Sequence, residues 1–292
     1  MERMIEKWQD KITEVVIGSK KPARIGGETG VFFIQGEDAA PNPPIVAMDV
    51  WDTEPDNWPG PLKAAYGKSL KEPVEWAKMC VERFSADAIC LRLSDQAQTA
   101  EKTLEKILKE ISVPLIVIGA SPEKEKDNEL MIRCTEAAKG ENCLFGIATQ
   151  DNYKTLTASC LSTGHSIIAE APIDINIAKQ LNILICDMGF PQNKIIIHHA
   201  TGALGYGLEY TYSIMERTRL AGLSGDKMLS MPMISFVGQE TWRTKEARTG
   251  DNDGLLETAT AGAYLNSGAD ILVMNHPKAV TAIKKTIKEL CS

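Results

Sequence analysis

The residues best suited to bind a ligand stand together in the run His198-His199-Ala200-Thr201-Gly202-Ala203-Leu204-Gly205-Tyr206-Gly207. Imidazole rings can bind a metal or hydrogen-bond a ligand, and the glycines permit positive φ or let a large flat group lie against bare backbone. Tight turns use the same glycines, so the spacing alone leaves a structural turn as an equal alternative. A dinucleotide site fits less well, because its Gly-x-Gly-x-x-Gly spacing is reversed here.

Histidines and carboxylates at the predicted strand ends could support metal binding or acid/base chemistry. His198, His199 and His276 all follow predicted strands, but neighbouring residues of a strand point to opposite faces, so the first two cannot share a metal without a bend. We therefore favour hydrogen-bonded structural histidines and predict neither a metal site nor a catalytic residue. Asp49 and Glu170 could act as an acid/base pair, although capping or fixing a loop is the simpler role for each. The chain has no G-x-S-x-G, P-loop or H-E-x-x-H motif, which argues against a self-sufficient hydrolase or kinase.

The elements that carry these residues repeat regularly. Apolar stretches of strand length alternate with stretches whose apolar residues recur at helical spacing. Eight such strand and helix units in about 250 residues predict a closed (β/α)8 TIM barrel, and even spacing favours it over a doubly wound open sheet. The predicted strands are Ile45–Val50, Ala86–Leu93, Val113–Ile118, Cys143–Ile147, Ser166–Ala169, Lys194–Ile197, Met231–Phe236 and Ala269–Met274.

The first 35 residues precede this repeat and form a separate unit in our prediction. Met1–Lys11 reads as a short amphipathic helix, and Thr13–Ile17 with Val31–Ile34 as a hairpin around the Gly26-Gly27 turn. We expect the hairpin to cover the bottom of the barrel; a partner-binding arm is the less favoured alternative. The barrel domain is then predicted to span residues 36–292.

The C-terminal ends of the strands form the working face of such barrels, so residues that directly follow strands, such as Asn275, are candidates for a site. Two connections on this face, Trp51–Glu72 and Val237–Gly254, are unusually long. Their tryptophans and arginines suit an interface or a flat ring. Packing of the same rings back onto the barrel is at least as good an explanation.

Composition restricts the function further. A net charge of −7 argues against nucleic acid and against an anionic membrane surface as partners. Neither a run of ~20 apolar residues nor a signal-peptide core is present, which predicts a cytoplasmic protein. The 7 cysteines include no C-x-x-C pair, so an iron–sulfur cluster or a zinc ribbon lacks its usual ligand spacing in this chain.

Longer strings of the sequence resemble the small (delta) subunit of the corrinoid iron–sulfur protein of the acetyl-CoA decarbonylase/synthase system. The resemblance implies a barrel that pairs with a large corrinoid iron–sulfur subunit and helps to hold a cobamide at their interface. The cobamide would carry a methyl group from a pterin-dependent methyltransferase to acetyl-CoA synthase in the reductive acetyl-CoA pathway, and the iron–sulfur cluster would belong to the large subunit. The strings that carry the resemblance are Pro41–Ile45, Trp58-Pro59, Gly140–Asn142, Asn152–Lys154, Asp174–Leu184, Leu204–Tyr210, Ser213–Arg217 and Gly225–Pro232.

The resemblance also implies which residues would contact the cobamide. The predicted cofactor-binding residues are His198, His199, Thr201, Gly202, Leu204, Gly205, Tyr206, Gly207 and Asn275. The sequence departs from the family at His198-His199-Ala200-Thr201, where the sixth strand usually ends in an Asp-Pro-type pair. A differently partnered relative is therefore one alternative, and a methyltransferase that binds methyltetrahydrofolate in its own barrel, with Asp49 or Asn275 on the pterin, is another.

Overall fold

The eight apolar stretches from Ile45 onwards form parallel strands that close into a barrel, as the sequence predicts. The computed structural model describes residues 8–31, 41–94, 97–120, 123–249 and 253–291. The barrel strands carry apolar side chains on both faces, because one face fills the barrel and the other lies under helices. The strands are β1 Val15–Ile17, β2 Ala23–Ile25, β3 Ile45–Trp51, β4 Ala88–Leu93, β5 Leu115–Gly119, β6 Leu144–Ala148, β7 Ser166–Ala171, β8 Ile195–His199, β9 Met233–Ser235 and β10 Ile271–Met274.

Helices connect successive strands and form the outer layer of the barrel, in which β3 to β10 follow chain order and β10 pairs with β3. The two long connections, after β3 and after β9, contain short helices of their own. No helix in the described part of the chain is both long and apolar enough to cross a membrane. The helices are α1 Gly60–Tyr66, α2 Pro73–Glu82, α3 Ala97–Glu110, α4 Lys124–Ala137, α5 Tyr153–Thr163, α6 Ile175–Asp187, α7 Leu208–Leu223, α8 Val237–Thr241, α9 Lys245–Thr249, α10 Leu255–Asn266 and α11 Pro277–Leu290.

The side chains that point into the barrel divide into an apolar lower part and a polar top. The lower part consists of Ile45, Ala47, Ala88, Cys90, Ile116, Ile118, Leu144, Ile168, Ile196, Ile234, Ile271 and Val273. Side chains alternate along a strand, so the next inward position lies two residues further towards the C-terminal face. On five strands or strand ends that position is polar: Asp49, Arg92, Glu170, His198 and Asn275.

The N-terminal hairpin covers the opposite, N-terminal end of the barrel, as predicted. Val15, Ile17 and Ile25 pack into the apolar interior from below. The backbone N–H of Thr13 donates to Ser230 O over 2.6 Å, and Ser230 lies just before β9. These contacts close the bottom and leave the C-terminal face as the open end.

The N-terminal segment differs in detail from the prediction. The strand that pairs with β1 is Ala23–Ile25, because five residues suffice to connect the two strands, whereas the predicted Val31–Ile34 lies outside the described residues beyond Val31. Residues 1–7 of the predicted Met1–Lys11 helix also lie outside them, and its remaining residues are not helical. The boundary predicted between residues 35 and 36 falls in the same undescribed stretch and stays a prediction.

Candidate functional site

Asp49 and Arg92 form a buried ion pair at the top of the barrel interior. Nε of Arg92 donates to Oδ1 of Asp49 over 2.9 Å, and both side chains are almost fully buried. They meet because β3 and β4 pair in a register that sets Asp49 beside Cys90 and Trp51 beside Arg92. Burial raises the pKa of Asp49, while the Arg92 guanidinium acts in the opposite direction. The pair is therefore a fixed, water-excluded pair of charges.

Glu170 and His198 form a second pair, on β7 and β8. His198 places Nε2 3.3 Å from Oε2 of Glu170 and Nδ1 3.2 Å from Ile234 O. A carbonyl oxygen only accepts, so Nδ1 carries a proton and Nε2 faces the carboxyl group. Burial lowers the pKa of His198 to about 3 and raises the pKa of Glu170, which favours the shared proton on Glu170. Both ring nitrogens of His198 are thus used inside the protein.

Phe236, just after β9, lies between the two pairs. Its ring centroid is 5.3 Å from Cζ of Arg92 and 4.8 Å from the ring centroid of His198, which it meets edge-on. A cation near an aromatic face is attracted to it, so the ring links the charged pair to the imidazole. We call Asp49, Arg92, Phe236, His198 and Glu170 the mouth layer.

A cavity of about 560 Å³, the mouth cavity, opens at the C-terminal face above part of this layer. Most of its other lining residues lie on the connections after β3 and β9, and the ends of β5 and β6 also contribute. Arg248 joins the two connections by donating from Nη2 to Asn57 O over 3.2 Å. Trp58 lies edge-on against Trp76, with centroids 5.2 Å apart, and Trp242 is only 4% exposed. Of the two uses open to these tryptophans, the structure shows packing against the barrel.

Asn275 is the predicted site residue that reaches the mouth cavity. Its backbone N–H donates to Glu257, its C=O accepts from the Tyr66 hydroxyl, and its side chain is buried. Oδ1 of Asn275 has no hydrogen-bond partner among the residues the structure describes. Gly238 makes room for it, because a Cβ there would lie 2.0 Å from Oδ1. Burial raises the pKa of Glu257 to about 7, although its three N–H donors oppose that shift.

The side chains of His199 and Thr201 make hydrogen bonds within the protein and do not line the mouth cavity. Nε2 of His199 lies 2.9 Å from Oγ1 of Thr218 on α7, outside the barrel, and burial lowers the pKa of His199 to about 4. Alternation along β8 accounts for this outward direction. Oγ1 of Thr201 accepts from the backbone N–H of Phe236 over 3.1 Å, which fixes the chain after β9. Both side chains hold the fold, and their contact with a cofactor stays a prediction.

Gly202 anchors the glycine-rich connection to the barrel. Its N–H donates to the Tyr264 hydroxyl over 2.8 Å, and that hydroxyl donates to Gly202 O over 2.6 Å. A Cβ on Gly202 would lie 2.7 to 2.8 Å from backbone atoms of Gly207 and Leu208. Only glycine therefore fits at position 202 without a shift of the backbone.

The rest of the connection forms a turn that projects from the rim. Tyr206 N–H donates to Ala203 O over 2.8 Å, and Gly205 within the turn has a φ of 79°. A Cβ on Gly205 would meet no atom within 4 Å. The Tyr206 hydroxyl donates to Glu246 on α9 over 2.8 Å, which fixes the turn against the neighbouring connection.

Large apolar side chains are exposed on this turn, at the start of α7 and on the connection after β7. Ile173 follows β7, Leu204 and Tyr206 lie in the turn, and Tyr210 lies in the first turn of α7; their exposed fractions are 45%, 43%, 54% and 63%. We call these four residues the apolar rim. It differs from the mouth cavity in that its side chains face solvent.

The structure does not bring the predicted site residues together at one place. Asn275 lies at the mouth cavity, while Leu204, Gly205 and Tyr206 lie on the projecting turn. Arg92 is a residue of the mouth that sequence reasoning missed, and its signal was a single charge within an apolar strand. Within the described residues, no three His, Cys, Asp or Glu side chains group so that they could hold a metal ion.

Solved structures with the same fold include dihydropteroate synthases. The enzyme from Coxiella burnetii in complex with pteroic acid superimposes with a TM-score of 0.61 at 13% identity, covering 95% of this chain and 99% of that one. The enzyme from Xanthomonas albilineans with 4-aminobenzoic acid gives a TM-score of 0.60 at 11% identity, with coverage of 85% and 93%. At these identities the likeness concerns the barrel fold alone.

Sequence comparison is more specific. The chain is 33% identical to the acetyl-CoA decarbonylase/synthase complex subunit delta of Methanopyrus kandleri, over 90% of this chain and 69% of that protein. It is 31% identical to the subunit of the same name from Methanocaldococcus jannaschii, over 98% of this chain and 76% of that protein. The model of the family described as "CO dehydrogenase/acetyl-CoA synthase delta subunit" matches residues 14–287. The chain therefore belongs to the CO dehydrogenase/acetyl-CoA synthase delta subunit family.

Proposed function

We propose that this chain is a non-catalytic subunit of a cytoplasmic methyl-transfer complex, in which its apolar rim covers a cobamide held mainly by a large corrinoid iron–sulfur subunit. Family membership supports a place in an acetyl-CoA decarbonylase/synthase complex, because the relatives carry that name. The observation that carries the finer proposal is the apolar rim, where Leu204 and Tyr206 stand exposed on a fixed turn. Neighbouring exposed apolar side chains of this size often mark an interaction surface.

The residues of the rim fit the edge or face of a large macrocycle. Leu204 and Tyr206 offer apolar surface, and the open space beside Gly205 lets a flat group approach the backbone between them. His198 uses both ring nitrogens inside the protein, and His199 lies against Thr218. We therefore assign to this chain the placement of the cofactor and the exclusion of solvent, whereas bound cobalt supplies the methyl-transfer chemistry.

The proposed partners follow from the same role. The large subunit would hold the iron–sulfur cluster, since the described cysteines of this chain are separate thiols, five of them buried. The pterin-dependent methyltransferase would deliver the methyl group, and acetyl-CoA synthase would accept it. The rim therefore has to stay accessible to a second protein in the free subunit.

A reconstitution tests the proposal. The full chain is mixed with the large subunit and cobamide, and complex formation is followed by gel filtration with visible absorbance. We expect a coloured heterodimer, and we expect Leu204→Ser to weaken its formation by about 10-fold, because a central apolar contact is lost. Leu161→Ser on α5 is the matched control, since Leu161 is 44% exposed and Leu204 is 43% exposed.

Two results would contradict this role. One is a chain that stays monomeric beside the large subunit and cobamide. The other is equal affinity of the Leu204→Ser and Leu161→Ser variants. The alternative function, a methyltransferase acting on methyltetrahydrofolate, would replace the proposal if the isolated chain methylated free cobamide from that donor.

A further inference from the structure

A second cavity, of about 600 Å³, opens in the outer layer of helices, between α1, the end of α2 and the start of α11. A volume of this size lies within the range of pockets that bind small molecules. Among the described residues, its lining shares no member with the mouth cavity or the apolar rim. We call it the side cavity, and the proposed cover for a cobamide does not account for it.

His276 offers a hydrogen-bond donor to the side cavity. Its Nδ1 accepts from the backbone N–H of Lys278 over 3.3 Å and so caps α11. Burial lowers the pKa of His276 and keeps the ring neutral, so its one proton lies on Nε2. Nε2 has no hydrogen-bond partner among the described residues, and it is not one of the fully enclosed polar atoms. The residue is only 4% exposed and lines the cavity, so Nε2–H is an unpaired donor that a ligand there can reach.

The imidazole ring of His276 is held rigidly. Its centroid lies 5.7 Å from a ring centroid of Trp242, and the two planes are inclined by 30°. Gly254 lies directly against the ring, since a Cβ there would be 2.7 Å from Nδ1. Glu257 accepts from the backbone N–H of His276 over 3.0 Å and from Nε1 of Trp242 over 2.7 Å. The donor is therefore fixed before a ligand arrives, which lowers the entropic cost of binding.

The charges of the side cavity suit a monoanion. Arg83 and Lys278 contribute two cations and Asp253 contributes one carboxylate, so the lining carries a net charge of +1. Nζ of Lys278 lies 2.5 Å from Oδ2 of Asp253, but these side chains are 66% and 69% exposed, so the solvated pair is weak. Among the described residues Arg83 has no carboxylate partner, and the first turn of α11 contains no acidic residue. An incoming anion thus meets uncompensated positive charge, to which the N-terminus of this 14-residue helix adds.

Apolar surface lies next to these charges. Phe84, Pro61 and Pro277 line the side cavity together with two alanines of α1. The Arg83 guanidinium carbon lies 5.5 Å from the ring centroid of Phe84, so cation and aromatic surface adjoin. Phe84 in turn packs edge-on against Tyr66, with ring centroids 6.1 Å apart. A ligand that carries an anionic group on an apolar body would use both parts of the lining.

We infer that the side cavity binds a small organic monocarboxylate with an aromatic or aliphatic body. One carboxylate oxygen accepts from Nε2 of His276, the Arg83 guanidinium pairs with the carboxylate, and the body lies along Phe84. A monoanion matches the net charge of the lining, whereas a phosphate ester would bring a second negative charge close to Asp253. The site goes beyond the proposed role of the apolar rim and does not depend on it, because it lies on other elements of the chain.

Calorimetric titration of the full chain at low ionic strength tests the inference. We expect saturable binding of one phenylacetate or one hexanoate per chain. Binding should be at least about 10-fold weaker for benzyl alcohol, which lacks the charge, and for acetate, which lacks the body. Phenyl phosphate should bind more weakly than phenylacetate, because it is a dianion. Absence of saturable binding by both phenylacetate and hexanoate, or equal or tighter binding of any of the other three probes, would overturn the inference.

Variants then locate the binding. His276→Asn keeps an acceptor for the Lys278 N–H, since asparagine is a good N-cap residue, but it removes the Nε2 donor and should weaken binding of the preferred carboxylate by about 10-fold. Arg83→Gln should weaken binding by a similar factor. Because Arg83 is exposed, this variant decides the matter if His276→Asn fails to fold. Arg217→Gln, at an exposed position of α7, is the matched control and should leave the affinity unchanged.

Asp253→Asn should change the affinity in the opposite direction. It removes the carboxylate from the lining, so binding of the preferred carboxylate should tighten by about 3-fold. A purely structural role of these side chains would not give opposite changes at Arg83 and Asp253. Equal affinity of wild type and the folded variants would refute the site. Leu204→Ser should not alter the titration, so a failed rim proposal and a failed cavity proposal give different results.

Discussion

The mouth layer and the apolar rim lie on the same face of the barrel, yet they are held in opposite ways. The mouth layer stands on or directly after strands, is mostly buried, and pairs its polar side chains with each other. The rim stands on the connections after β7 and β8 and at the start of α7, and its side chains are exposed. Within it, the Tyr206 hydroxyl donates to Glu246. Substitutions in the mouth layer should therefore cost stability, whereas substitutions at the rim should cost association and little stability.

Arg92→Leu should give the largest loss of stability. It leaves Asp49 as a buried carboxylate without its guanidinium, and breaking a buried pair in this way costs about 3–5 kcal/mol. Urea unfolding followed by circular dichroism measures the change. Exchange of both members, Asp49→Leu with Arg92→Leu, should recover most of the loss, because no lone charge remains buried.

Arg243→Leu is the matched control for that experiment. Arg243 also belongs to the mouth, but its side chain is 65% exposed and it pairs with Glu240 near solvent. Its removal should change the free energy of unfolding by less than about 1 kcal/mol. Similar losses for the Arg92→Leu and Arg243→Leu variants would contradict the distinction between a buried and a solvated mouth charge.

Gly202→Ala should give the next largest effect, because position 202 joins the rim turn to the barrel. The new Cβ would press on backbone atoms of Gly207 and Leu208, and forced overpacking of this kind costs up to about 3 kcal/mol. Gly205→Ala is its control: the position has a φ of 79° but open space around it, so only about 1 kcal/mol is expected. Thermal unfolding of the two variants measures the difference, and a larger loss at position 205 would speak against the anchoring role of Gly202.

The mouth layer should also show itself in the pH dependence of stability. Burial holds the pKa of His198 at about 3, below its ordinary value of roughly 6.5. Its contribution to folding stability is therefore fully present above pH 6.5 and is lost as the pH falls towards 3. The stability lost between pH 7 and pH 5 amounts to about 2 kcal/mol. We therefore expect the stability deficit of His198→Gln relative to wild type to shrink by about that amount over this interval.

The pH dependence of stability for Glu257→Gln should be opposite to that for His198→Gln. Burial raises the pKa of Glu257 to about 7. Its contribution to folding stability is therefore fully present below pH 4.5 and is lost as the pH rises through 7. Wild type should thus gain stability relative to this variant on acidification. Parallel pH profiles for the His198→Gln and Glu257→Gln variants, from urea unfolding at each pH, would refute both assignments.

The sequence alone predicts the barrel fold, but it does not predict which side chains meet at the top of the barrel interior. Eight repeated units with apolar strands can be recognised locally, and alternation along β8 already predicts that His198 and His199 point apart. That Asp49 meets Arg92 depends on how β3 and β4 are shifted against each other, and this shift is a property of the closed barrel as a whole. No local pattern encodes it.

The N-terminal hairpin also shows a limit of local sequence patterns, because strand composition indicated the wrong second strand. Val31–Ile34 has the stronger strand composition, yet Ala23–Ile25 pairs with β1 because the short connection brings it there first. Three-residue strands carry too little periodicity to be recognised. At the rim, the glycine spacing left a structural turn and a ligand-binding turn as equal alternatives, and the exposure of Leu204 and Tyr206, which follows from packing in three dimensions, shows that the turn projects into solvent.

Tyr206→Phe should have the smallest effect on stability, and it separates the role of the hydroxyl from the role of the ring at the rim. It removes the hydroxyl that donates to Glu246 but keeps the ring, and because both residues are solvent-exposed we expect a loss below about 0.5 kcal/mol in thermal unfolding. If the rim binds its partner through apolar surface, the affinity for the large subunit should stay within about 2-fold of wild type. Tyr206→Ser loses the same hydrogen bond and also the ring, so it should match Tyr206→Phe in stability while weakening association by about 10-fold. Equal association of the two variants would mean that the ring of Tyr206 is not a contact, and the apolar rim would then have to be restricted to its other members.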